Sequence, residues 1–181
     1  MNLIKTRIIV SNIKNKHIIR RYTRNSKSSK RICEEIKMKE RFKSVVCADL
    51  MITKQVENET YILLMKRQNT GSDDGYFELP GGHLEKGEDL FDAIIRESEE
   101  ELCIKIKRKD LKIIHLLHHY NGERLNFIFG INGEKLNPQI GEPKKCSELR
   151  WVNINKLPNE TTDKVKKIIK NIIKNKFYDK L

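Results

Sequence analysis

The 181-residue sequence predicts an α/β domain, a mixed β-sheet covered by helices on its faces. Three observations predict it. Paired β-branched and apolar runs of strand length stand on both sides of the chain's middle, the apolar period turns helical across 88–102, and an amphipathic segment closes the sequence. The order strands, loop, helix, strands, helix favours a sheet with helices packed against it.

Each element has its own warrant. "FKSVVCADLMI" and "TYILLMKRQ", separated by the polar "TKQVENE", read as a hairpin or neighbouring strands. "NTGSDDGYFELPGG" is dense in Gly, Asp, Ser and Pro and reads as a loop with at most one short strand, at Tyr76 to Leu79. From Glu88 to Leu102 there is no Pro or Gly, and Phe91, Ile94, Ile95, Ser98 and Leu102 recur at three- or four-residue steps, so they form the buried stripe of a helix. "LKIIHLLHHY" and "RLNFIFGI" make a second hairpin with Asn121-Gly122 at its turn. "ELRWVNI" is a further strand. In "TTDKVKKIIKNIIKNKF", Val165, Ile168, Ile169, Ile172 and Ile173 share one face, lysines occupy the other, and Thr161 or Thr162 caps the start.

Charge divides the chain. The net charge is +12, of which residues 1–40 carry +9 and residues 161–181 carry +5, leaving 41–160 at −2. Residues 1–40 therefore read as a basic N-terminal extension, an arm, a docked helix or a transit-like segment; residues 41–178 read as one domain. The first 33 residues contain no acid, a pattern shared with organelle transit peptides. The basic ends allow a nucleic-acid footprint, but a Lys, Ile and Asn bias across the whole sequence accounts for them, and nucleic acid is not the favoured partner. No stretch reaches the roughly 18 apolar residues of a membrane span. Cys33, Cys47, Cys103 and Cys146 lack metal or disulfide spacing and read as free thiols of a reducing compartment, so the expected location is cytoplasmic, or organellar if residues 1–33 are a transit peptide.

"RESEEELC", residues 96–103, places four glutamates in five positions. Repelling pairs three or four apart cost a helix roughly 0.2–0.5 kcal/mol each. Advancing roughly 100° per residue, Glu97, Glu100 and Glu101 share an arc of about 100° beside the buried stripe, and Glu99 points elsewhere. A hard dication, Mg²⁺ or Mn²⁺, resolves such repulsion because it takes oxygen ligands together with substrate phosphates. Arg96, four residues before Glu100, is placed to orient it.

The spacing from Gly82 through Glu88, Arg96-Glu97 and Glu100-Glu101 to Ile104, preceded by "LPGGHLEKGE", resembles the Nudix box of the Nudix hydrolase family. The resemblance extends over about 42–175. It implies the Nudix fold, an α/β/α sandwich with a mixed β-sheet in which the box forms a loop-helix-loop motif, and an enzyme that hydrolyses a pyrophosphate bond in a nucleoside diphosphate linked to another moiety. Carried over by position, Glu97, Glu100 and Glu101 would hold Mg²⁺ or Mn²⁺ with the carbonyl of Gly81, one glutamate would act as base, Arg96 would orient the carboxylates, and Gly82 and Glu88 would support the loop. Two positions depart from the box. Ser98 replaces an apolar residue, tolerable if its hydroxyl bonds to the preceding turn. Cys103 replaces a glycine that commonly supplies a left-handed cap, with lower stability or a longer helix as the expected result.

Other candidates rank lower. His115, His118 and His119 lack zinc spacing, and His119 is a candidate for lining the substrate cleft. Arg67 and Lys66 end a strand and are candidates for meeting phosphates. Tyr120 stands about where dinucleoside polyphosphate hydrolases of the family place a tyrosine. Glu142 and Glu148 are the best further acids. The leading activity is a Mg²⁺-dependent pyrophosphohydrolase of nucleoside triphosphates, oxidised ones included; the alternatives are hydrolysis of dinucleoside polyphosphates, ADP-ribose, nucleotide sugars or capped RNA, and a nucleotide-sensing domain without catalysis. Oligomeric state is not readable from the sequence.

Overall fold

The computed structural model describes residues 9–13, 16–20, 43–119 and 123–181. The chain divides into two units, Met1–Phe42 and Lys43–Leu181. Within the first, β1 (Ile9–Ile13) and β2 (Lys16–Arg20) pair antiparallel, Ile9 opposite Arg20 and Ile13 opposite Lys16. These residues are strand, not the docked helix that was one reading of the extension.

The second unit is built on an eight-stranded mixed sheet. Its strands are β3 (Val45–Val56), β4 (Glu59–Arg67), β5 (Phe77–Glu78), β6 (Gly81–His83), β7 (Lys112–His118), β8 (Arg124–Asn132), β9 (Cys146–Asn153) and β10 (Tyr178–Lys180). The order is β10-β7-β8-β3-β4-β5, with β6 also on β3 and β9 also on β4. β3 runs parallel to β8 and β10 parallel to β7; the remaining pairs are antiparallel.

The β3–β4 hairpin has the position expected and a different extent. Strand continues through most of "TKQVENE", and only Glu57 and Asn58 turn, both with positive φ (49° and 65°). That geometry matches the twist of the flanking strands. Two short strands escape the sequence reading, β6 on the glycines of the loop and β10 near the C-terminus. The Asn121-Gly122 turn lies outside the described residues, although β7 and β8 pair antiparallel as a hairpin requires.

Alternation along the strands makes the sandwich. Leu50, Ile52, Leu63, Phe129 and Ile131 join the apolar cluster of α1 (Leu90–Leu102), with its Ala93, Ile94 and Leu102. Their neighbours Met51, Ile62, Leu64 and Ile128 join that of α2 (Asp163–Ile173), with its Val165, Ile168 and Ile169. Successive side chains point to opposite faces of a sheet, so each helix covers one face and the architecture is α/β/α. Phe91 packs edge-on to Phe129 at 5.0 Å between centroids, tying α1 to the sheet.

Caps fix where the helices begin. Asp89 accepts from the N–H groups of Phe91 and Asp92, while Asp92 accepts from the N–H of Asp89, a reciprocal capping box. Thr162, one of the two expected caps, accepts from Val165 N–H at the start of α2. Ile173, expected on the buried face, is 55% exposed because α2 ends there. No helix among the described residues is long and apolar enough to cross a membrane.

Candidate active site

The loop from Pro80 to Asp89 and the first three turns of α1 bring the box residues together. Backbone proximity is extreme at the two glycines. Gly81 has φ 141°, and a Cβ there would lie 2.7 Å from Asp49 Cα; a Cβ on Gly82 would lie 2.5 Å from Glu97 Cδ. Only glycine permits strand β6 to approach both β3 and α1 so closely.

Arg96 is the hub of the charged cluster. Its Nε meets Glu88 Oε1 at 2.7 Å and its Nη2 meets Glu88 Oε2 at 3.2 Å. Nη1 donates to Glu97 Oε1 at 2.8 Å and Glu100 Oε2 at 3.2 Å, and Nη2 donates to the carbonyl of His83 at 3.1 Å. Glu88 in turn accepts from Glu85 N–H at 3.1 Å, which ties the loop to the same hub. The planar five-donor fork of arginine suits this many acceptors. Hydrogen bonds to Glu88 and Glu97 outweigh burial and hold the guanidinium well above its usual pKa.

Glu101 is placed differently. Its Oε2 accepts from Gly81 N–H at 2.7 Å, and Arg96 does not reach it. Burial first, then the charges of Glu97, Glu142 and Asp49, push its pKa up to about 8 despite the Gly81 hydrogen bond. Glu97 is raised by burial, against the pull of Arg96. Glu99 points away to Lys105 at 3.6 Å. Among the described residues, no three His, Cys, Asp or Glu side chains stand close enough to hold an ion as placed. The physical reason is local: Glu97 and Glu100 are drawn to Arg96, and Glu101 to the Gly81 N–H.

Both departures from the box have structural outcomes. Ser98, 1% exposed, donates to the carbonyl of Ile94 at 2.5 Å, as its burial demands. Cys103 adopts the left-handed conformation, φ 55° and ψ 27°, and its N–H caps Glu99 O at 3.1 Å. The helix therefore stops at Leu102, and the longer helix does not occur. Gly141 N–H donates to Glu101 O at 2.8 Å, which packs the 139–142 segment against this end of α1 and puts Glu142 near the cluster.

Beside the cluster lies a cleft of about 780 Å³, which Gly81, Gly82 and His83 border. Of the substrate-binding candidates Arg67, Lys66 and His119, Arg67 and His119 line it. Arg67 also donates to Ser72 O and Thr70 Oγ1, bracing the 70–74 loop. Lys66 instead stacks its ammonium 5.5 Å from the Phe77 ring. Tyr120 lies outside the described residues. Glu142 pairs with Lys145 at 2.8 Å and Glu148 with Arg150 at 2.6 Å. His115 is fully buried with Nδ1 on Lys176 O, and His118 meets Tyr178, so the three histidines face different partners.

The cleft floor was not foreseen. Asp49 of β3, Glu78 of β5, Asn126 of β8 and Lys164 of α2 form one buried network across four elements. Burial alone would lower the Lys164 pKa, but Asp49 and Glu78 reverse this and hold it protonated above its usual value. Each of these carboxylates and the asparagine interrupts an apolar strand, and a lone polar residue in such a run was the available signal.

A family model described as "NUDIX domain" matches residues 45–174. An ADP-ribose pyrophosphatase of Methanocaldococcus jannaschii is 32% identical over 123 residues, covering 66% of this chain and 69% of that protein. Among solved structures, a MutT NUDIX hydrolase from Burkholderia pseudomallei is 26% identical with a TM-score of 0.60, covering 71% of this chain and 98% of that one. The NUDIX domain of Shewanella oneidensis NrtR, solved with ADP ribose, has a TM-score of 0.59 over 74% of this chain and 89% of that one; at 16% identity the likeness is one of fold.

Proposed function

We propose, from the premise that this chain belongs to the NUDIX family of hydrolases, that it cleaves a pyrophosphate bond in a nucleoside diphosphate linked to another moiety, with Mg²⁺ as the preferred ion and Mn²⁺ as its substitute. The observation that carries this reading is the α1 turn: three glutamates beside a cleft, two of them held by Arg96 and the third by Gly81 N–H. The donor chemistry fits a hard cation, because every candidate ligand is a carboxylate or carbonyl oxygen. Glu97, Glu100 and Glu101, with the Gly81 carbonyl, would hold it, and it would supply charge neutralisation at phosphate and activation of water.

The chain's own residues do the rest. Arg96 orients Glu97 and Glu100, and Glu88 fixes Arg96 from the loop side. One of the three glutamates would accept a proton from the attacking water. Arg67, Arg124 and Lys166 line the cleft and complement a polyphosphate. This cationic lining favours nucleoside triphosphates as the first substrates to test. ADP-ribose is the second, on the strength of the named activity of the 32% identical relative. We propose residues 41–178 as the hydrolase domain and residues 1–40 as an extension outside its chemistry.

The test is a turnover screen of nucleoside triphosphates, oxidised forms, dinucleoside polyphosphates, ADP-ribose, nucleotide sugars and capped RNA with Mg²⁺ or Mn²⁺, beside Glu101→Gln. Metal-dependent hydrolysis that drops at least about 100-fold in the variant is expected. Turnover that survives Glu101→Gln, or that is absent on every substrate, refutes the reading.

A further inference from the structure

The cleft floor holds donors and acceptors for which the proposed hydrolysis has no use. Lys164 is paired with Glu78 and lies 3.5 Å from Asp49 Oδ2, with side-chain exposures of 16% for the lysine and 7% and 6% for the acids. Asn126 donates to Asp49 Oδ2 at 2.7 Å, and its Oδ1 meets His119 Nε2 at 3.0 Å. An ammonium has three N–H donors. Two are accounted for by the carboxylates, and the third has no acceptor among the described residues. Each oxygen of a carboxylate accepts more than one hydrogen bond, so Glu78, although bonded by Thr162 and Lys164, retains acceptor capacity.

A second, independent observation points to a ligand here. Thr161 lines the same cleft and is 1% exposed, yet its hydroxyl has no hydrogen-bond partner among the described residues. Buried polar groups are as a rule paired. Tyr76, 47% exposed and also lining the cleft, adds an aromatic ring of the kind on which bases stack.

We propose that this end of the cleft reads a 6-oxopurine base, with Lys164 donating to the base carbonyl, Glu78 accepting from the adjoining ring N–H, and the Thr161 hydroxyl taking the remaining polar edge. The inference rests on the nucleotide-hydrolase reading above and specifies its substrate. Lysine meets the guanine carbonyl favourably, whereas adenine presents an amino group at that place. Two donors then face each other, and adenine is disfavoured. Lys164, Glu78 and Thr161 are thus specificity-determining residues, distinct from the α1 carboxylates.

The experiment measures binding of GMP, IMP and AMP to the full chain by calorimetry without metal, and in parallel the hydrolysis of GTP, ITP and ATP with Mg²⁺. GMP and IMP, which share the carbonyl and ring N–H, are expected to bind roughly tenfold or more tighter than AMP. Lys164→Gln should erase that preference, since an amide suits adenine. Because this variant unpairs buried carboxylates, Thr161→Val serves as the second; it removes an unpartnered hydroxyl, should melt at or above wild type, and should weaken GMP and IMP. AMP binding as tight as GMP, no binding of any of the three, or a purine preference unchanged in both variants overturns the proposal. Loss of all hydrolysis with the GMP preference intact would sink the hydrolytic reading and leave this one standing.

Discussion

Glu101 gives the sharpest test of the site, because its environment sets a sign as well as a size. Its carboxyl is raised from 4.5 to about 8 by burial and by neighbouring acids. A pKa raised in the folded state means that folding favours the protonated form. The associated stability is complete below about pH 4.5, falls as pH rises between the unfolded and folded values, and is gone above about pH 8. At about 1.4 kcal/mol per unit the ceiling is about 5 kcal/mol. Partial exposure of the side chain lets water screen it, and about 2 kcal/mol is the expected loss. For a domain of this size that is a fall of about 4–8 °C in Tm. The assay is thermal melting from pH 4 to 8.5 in chelator, wild type beside Glu101→Gln, whose amide cannot ionise. The variant should lack this fall, and the difference between the two curves isolates the group from all other titrations. Millimolar Mg²⁺ at pH 8 should raise the wild-type Tm, because an ion that binds only the folded state stabilises it, and should raise the variant less. Curves that stay parallel across pH 5–8 would refute the reasoning.

Gly82→Ala should cut turnover about 100-fold by displacing the Glu97 carboxylate, which lies within 2.5 Å of where the new Cβ would be; activity within threefold of wild type would contradict it. Arg96→Lys keeps the charge but loses the fork that spans Glu88, Glu97, Glu100 and the His83 carbonyl. Turnover should fall about 100-fold, and steady-state kinetics with a melt to verify folding checks this. Cys103→Gly relieves a left-handed cap that costs a cysteine about 1–2 kcal/mol, offset in part by the greater freedom of glycine in the unfolded chain. The Tm should rise by about 1–4 °C with turnover near wild type; a large loss of activity would assign the thiol a role.

How far the sequence carried the structure depended on the range of the physics involved. The strands β3, β4, β7 and β8 and both helices were readable because side-chain alternation and the 3.6-residue period are local, and they persist over seven or more residues. β6 and β10 have three residues each, too few to establish a period. β6 is a strand because its backbone pairs with Cys47, Ala48 and Asp49 of β3, a reason that lies in another part of the chain. The same distinction divides the site. Glu97, Glu100, Glu101 and Arg96 lie within six positions on one helix, so spacing alone placed them on adjoining arcs. Lys164 and Asp49 are 115 residues apart; nothing local joins them, and only Asp49, Glu78 and Asn126 interrupting apolar strands hinted at a buried polar network.

The like charges of the α1 turn have a structural explanation that is incomplete without a further positive charge. Glu88, Glu97 and Glu100 share one guanidinium, and that contact, not exposure to solvent, fixes Glu97 and Glu100 beside each other. Arg96 cannot also serve Glu101, whose carboxylate has as its only hydrogen bond among the described residues the one from Gly81 N–H. Burial first, then the neighbouring acids, push its carboxyl up to about 8, and at neutral pH a proton takes the place that a stronger cation would fill. Proton and hard dication then compete for the same carboxylate. The pH dependence of stability, the stabilisation by Mg²⁺ and the loss of both in Glu101→Gln are expected to move together, because all three report the one of the three converging carboxylates that Arg96 leaves unneutralised.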